Sequence, residues 1–159
     1  MSTTTETANN PQADVYNGEW TAGVIGGIAG AMVMAAAIIA MNTPTLAVAI
    51  PSLYTLAPPA NVGLGLFVHL SHGAILGVIF AALIGVGEFS GLGARVGVGV
   101  VWGVITWAGF AALVMPVWLG AVGSPASPPL PNFAPPSLLW HLLYGVVLGV
   151  IYDVSEDIA

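Results

Sequence analysis

Polar residues fall in a few clusters along this chain, and the stretches between them are apolar at nearly every position. Four such stretches stand out, at roughly 20–41, 62–86, 94–119 and 137–152. About 20 consecutive apolar residues span the hydrocarbon core of a bilayer as a helix, so each stretch predicts a transmembrane helix. A transmembrane barrel would show segments of about ten residues with alternating polarity. These segments are longer and do not alternate.

Two of the predicted helices match each other 72 positions apart. His69, Gly73 and Gly77 in HLSHGAILGVIF align with His141, Gly145 and Gly149 in HLLYGVVLGVIY. The same offset pairs Gly27 with Gly99, Pro44 with Pro116 and Pro59 with Pro131, without a gap. The expected architecture is an all-α, integral membrane four-helix bundle made of two tandem helical hairpins. Repeat one covers 20–86 and repeat two 92–158, within a single transmembrane domain at 19–159. Residues 1–18 form a polar N-terminal tail, which lacks the basic and apolar regions of a secretory signal. Each unit has an even number of spans. The two units are therefore expected in parallel orientation, about a pseudo-two-fold axis along the membrane normal.

Composition agrees with lipid as the solvent. Of 159 residues, 57% are hydrophobic and 5% charged, against about a quarter charged in a soluble domain. The chain has no cysteine, which excludes disulfides, thiolate-held clusters and thiol catalysis. Its net charge of −6 disfavours nucleic acid and anionic headgroups as partners. The charges sit in the N-terminal tail, around the short link at 87–93 and at the C-terminus, so four spans put them on one face. Arg95 is the lone basic residue, and the bias of Lys and Arg toward the cytoplasm orients both termini inward.

The long loops, 42–61 and 120–136, carry no charge and are apolar and proline-rich. They are expected at the headgroup boundary or folded over the bundle, with Tyr54, Trp118 and Phe133 as anchors; a partner surface is the other reading. Pro44 and Pro116 should kink or end helices one and three. Small residues four apart recur in every span: Gly23/Gly27, Gly73/Gly77, Gly99/Gly103 and Gly145/Gly149. Helices in lipid associate through such close backbone approach. Helix one carries two overlapping stripes, Gly23/Gly27 and Gly26/Gly30, so that one of them could serve a dimer face.

The histidines carry the candidate chemistry. His69 and His141 head the glycine stripes of helices two and four, and His72 lies three residues beyond His69. Helix N-termini favour uncharged imidazole, the form that ligates metals and haem. One reading has His69 and His141 meeting across the pseudo-axis to hold haem b, or a metal ion with His72. The other has each ring bonded to a carbonyl freed near Pro44 or Pro116. Asn42, Thr43, Thr45 and Asn61 read as caps or solvated groups, Thr106 as back-bonded to its own helix, and Asp153 as solvated. No Ser–His–Asp set, carboxylate pair, phosphate loop or HExxH motif is present.

Three functions follow, in this order. The first is a non-catalytic membrane scaffold or accessory subunit that assembles with itself or with other membrane subunits. The second is a haem- or metal-binding electron-transfer subunit. The third is a small oligomeric channel or carrier. Acidic, lysine-poor composition and the small four-helix plan make the chain resemble small integral membrane proteins of haloarchaea. That resemblance implies a membrane location and no particular activity.

Overall fold

A computed structural model describes residues 19–156; the expected tail at 1–18 lies outside them. The described chain is helical apart from its links. Four helices are long and apolar enough to cross a membrane: α1 (Glu19–Ser52), α2 (Val62–Val86), α3 (Leu92–Ala121) and α4 (Pro135–Ser155). The molecule is an all-α four-helix bundle with the character of a membrane protein.

The helices fall in the order α2–α1–α4–α3 around the bundle. α1 packs closely on both α2 and α4, and α4 on α3, whereas α2 and α3 barely touch. Glycine explains the close pairs, because backbone meets backbone where no Cβ intervenes. A Cβ added at Gly23 or Gly27 would strike the Gly77 or Gly73 carbonyl. Across the second hairpin, a Cβ at Gly99 would strike the Gly145 carbonyl, and one at Gly103 the His141 carbonyl. These contacts keep the 72-residue spacing of the sequence: Gly27 meets Gly73, and Gly99 meets Gly145.

The second stripe of α1 has an internal use. A Cβ on Gly26 would lie 3.0 Å from the Leu148 carbonyl oxygen, and one on Gly30 2.8 Å from that of Tyr144. Gly26/Gly30 therefore seats α4 against α1 and is not a dimer face. This seam closes on Ala31, Met34, Tyr144, Leu148 and Tyr152, all buried.

Of the two outcomes expected near Pro44, α1 shows the kink and does not end. The helix bends at Asn42, whose φ of −159° and ψ of 70° are non-helical, and continues to Ser52 through a wider π-helical stretch, Thr45–Ala49. α3 contains a π-helical stretch too, Trp107–Val114. In each, an i−5 bond precedes a proline: Ile50 N–H to Thr45 before Pro51, and Met115 N–H to Phe110 before Pro116. Proline has no N–H for the carbonyl four residues back, so Ala47 and Ala112 lose that partner. A loop amide replaces it in both cases, from Asn61 to Ala47 at 2.8 Å and from Asn132 to Ala112 at 2.9 Å. The working counterpart of Pro116 is thus Pro51, not Pro44. It follows that α1 is longer than expected and the first loop shorter. Asn61 also caps α2, its Oδ1 accepting from the Leu64 amide at 3.0 Å.

Both loops fold back over this end. The Trp118 indole donates to the Leu53 carbonyl at 2.8 Å, and Phe133 packs against Trp107 with centroids 5.6 Å apart. The opposite end holds the charges. Arg95 is buried and pairs with Asp153 at 2.8 Å and with Glu156. Its guanidinium lies over the Tyr152 ring, 5.5 Å from the centroid, and Tyr152 donates to Glu19. Asp153, expected in solvent, is instead half of an ion pair, because α4 runs a turn longer than its hydropathy indicates. Burying Arg95 without these carboxylates would leave an uncompensated charge.

Candidate functional site: a lateral cavity lined by three histidines

The two seams differ in their side chains. Shifted by 72 residues, Gly26 and Gly30 of α1 correspond to Val98 and Trp102 of α3. The glycines let α4 approach α1. Val98 and Trp102 are packed partly buried against the core. The Trp102 indole N–H is buried without a partner.

A cavity of about 490 Å³ fills the opening, toward the end of the bundle remote from the charges. It falls in the volume range of small-molecule pockets, roughly 300–1,000 Å³. All four helices contribute to its wall. Met34 and Ile38 come from α1, Leu76 and Ile79 from α2, Phe110 and Val114 from α3, and Trp140 from α4. The π-helical stretch of α3 supplies Phe110, Ala111 and Val114; widened turns of this kind recur where a helix is shaped around a site.

His69, His72 and His141 all reach this wall. Their tethers differ from both readings. The His69 Nε2 lies 3.1 Å from the Ala31 carbonyl of α1. The His141 Nδ1 lies 2.7 Å from the Ser137 carbonyl of its own helix. Neither ring takes a carbonyl freed near Pro44 or Pro116. His72 Nε2 pairs with the Tyr54 hydroxyl at 2.8 Å. The counterpart of His72, Tyr144, donates to the Gly73 carbonyl at 2.9 Å and so bridges the diagonal from α4 to α2.

A metal-ligating histidine normally donates one ring N–H to a carbonyl and offers the other nitrogen. His141 has the familiar form of that arrangement, with Nε2 left over. His69 has the reverse, with Nε2 engaged and Nδ1 left over. The matched imidazoles share a cavity without being equivalent. Among the described residues no group of three or more His, Cys, Asp or Glu is placed to hold a metal ion. The splay that a flat cofactor needs lies between α2 and α3, not between α2 and α4 where sequence placed it.

Tyr54 was legible only as an interfacial anchor, yet it is a polar group of the site. Its link to His72 depends on the extension of α1 beyond Pro44, which no local signal announced. The Thr106 hydroxyl back-bonds to Trp102 at 2.9 Å, as expected.

Fold and cavity together define a class: a four-helix membrane bundle opened along one seam over an apolar, histidine-bearing pocket. The chain belongs to DUF6789, a family of unknown function whose model matches residues 18–159. No curated protein and no solved structure matches the chain.

Proposed function

We propose that this protein is a non-catalytic membrane subunit whose working part is the cavity, where it holds an apolar molecule drawn from the lipid phase. The observation that carries this reading is the open α2–α3 seam in an otherwise tightly packed bundle. Close packing is the rule in protein interiors, and a pocket with a few convergent polar groups is the usual form of a small-molecule site. In this reading the charged end, with Arg95, faces the cytoplasm, and the cavity lies in the outer half of the bilayer. The accessory role joins it to larger assemblies through its apolar exterior.

Of the alternatives, haem or metal ligation draws support from His141 alone. A bis-histidine site would require His69 to give up Ala31 or to ligate through Nδ1. A conducting path draws less support, because the inner half of the bundle is sealed by the glycine contacts and by the Arg95 cluster.

Ile75 on α2 and Val114 on α3 line the cavity and are 59% and 54% exposed, so tryptophan at both should fill its mouth without disturbing the core. Protein purified from native membranes should carry one apolar molecule near stoichiometry, detected by mass spectrometry of solvent extracts. The Ile75→Trp/Val114→Trp variant should lose it. Recovery of bulk phospholipid alone, in equal amounts from both proteins, would refute the reading.

A further inference from the structure

The polar groups on the cavity wall include two imidazole nitrogens whose roles their hydrogen bonds decide. The Ser137 and Ala31 carbonyls can only accept, so His141 carries its proton on Nδ1 and His69 on Nε2. No Asp or Glu lines the cavity, and the described carboxylates Glu19, Glu88, Asp153 and Glu156 belong to the opposite end. An imidazolium here would be a charge without a counter-ion, so the rings are uncharged. The nitrogens left over, Nε2 of His141 and Nδ1 of His69, are then acceptors.

Some donors on the wall are committed. The Thr106 hydroxyl goes to the Trp102 and Gly103 carbonyls of its own helix. The Tyr144 hydroxyl goes to Gly73. Tyr54 and His72 share one hydrogen bond, which uses one of the pair's two donors. Ser137 and Thr45 add hydroxyls that serve either role. An occupant that only accepts would leave two imidazole lone pairs unsatisfied, and buried polar groups without partners are costly.

Tyr54, Phe110, Trp118 and Trp140 add flat aromatic surfaces to a wall that is otherwise mainly aliphatic. Rings stack or meet edge-on favourably with such surfaces. We infer that the cavity takes an apolar aromatic molecule bearing a free hydroxyl, a phenol or quinol, and favours it over ethers and quinones of the same ring, which only accept. This rests on the cavity reading above and specifies its ligand.

The test compares three probes of one ring size against the full chain in lipid nanodiscs: 1-naphthol, 1-methoxynaphthalene and 1,4-naphthoquinone. Binding is measured by calorimetry after subtracting uptake by empty nanodiscs. Naphthol should bind roughly five- to tenfold more tightly than its methyl ether, the ratio a single net hydrogen bond supplies. The quinone should resemble the ether. His141→Phe should bring naphthol and ether within about twofold of each other while ether binding persists. If that variant does not fold, the wild-type comparison decides by itself. Equal affinities for the three probes, or tighter binding of the quinone, would overturn the donor preference and leave the cavity reading standing. No binding of any probe above empty nanodiscs would overturn both.

Discussion

The bundle has two seams between its hairpins, and they could hardly differ more. On one side α1 and α4 meet through Gly26 and Gly30, with Tyr144, Leu148 and Tyr152 filling the space beside them. On the other, α3 has Val98 and Trp102 at the positions of Gly26 and Gly30, and α2 has His72, Leu76 and Phe80 at those of Tyr144, Leu148 and Tyr152. The closed seam has two glycines where the open one has two large side chains. Hairpins with the same internal glycine contacts can therefore enclose a site on one side only, at the cost of a few residues. The inner end shows a parallel exchange. Where the first hairpin has Gly23, Ala81 and Ile84, the second has Arg95, Asp153 and Glu156, and an ion cluster takes the place of apolar packing.

The comparison breaks most severely at the closed seam. Gly30→Leu places a Cβ 2.8 Å from the Tyr144 carbonyl and 3.0 Å from its ring. Backbone cannot move aside as a side-chain tip can, so the cost should reach or exceed the about 1–3 kcal/mol typical of overpacking. Unfolding in mixed micelles should show a large loss of stability, and unchanged stability would mean that α1 and α4 are not in contact. The converse change tests the open seam. Replacing Val98 and Trp102 by glycine should let α2 move toward α3 and shrink the cavity, with a loss of about 3–5 kcal/mol from the tryptophan alone if the space fails to collapse. The chain has no cysteine, so spin labels at Phe67→Cys and Val117→Cys, both lipid-exposed, report on the gap directly. Their distance should shorten in the double variant. A distance that stays constant would show that something other than Val98 and Trp102 holds the helices apart. The smallest effect belongs to a glycine outside either seam. Gly97 has nothing within 4 Å of an added Cβ, so Gly97→Ala should be neutral or stabilise α3 by up to about 1 kcal/mol, measured in the same micelles. A large loss there would mean that an unseen partner covers that face.

Much of the site was readable in advance, though not its form. His69, His72 and His141 were singled out by their scarcity and spacing, and all three line the cavity. Their hydrogen bonds were not predictable. Ala31, the partner of His69, comes from a different helix, and its availability depends on how α1 and α2 cross. Tyr54 joined the site because α1 runs on past Pro44, where the wider π turn and the loop amide of Asn61 compensate for the prolines. Solvation of Asp153 was the natural reading of a terminal carboxylate, until helix ends brought Arg95 within reach.

Sequence alone determined the solvent, the number of spans and the inner contacts of each hairpin. Those follow from local facts: twenty apolar residues must cross lipid as a helix, and glycines four apart must share a face. Tertiary structure decided which seam closes, which carbonyl each imidazole finds, and where the wall keeps its acceptors. Such outcomes depend on the fit between side chains distant in sequence, and volume is compared only when the helices meet.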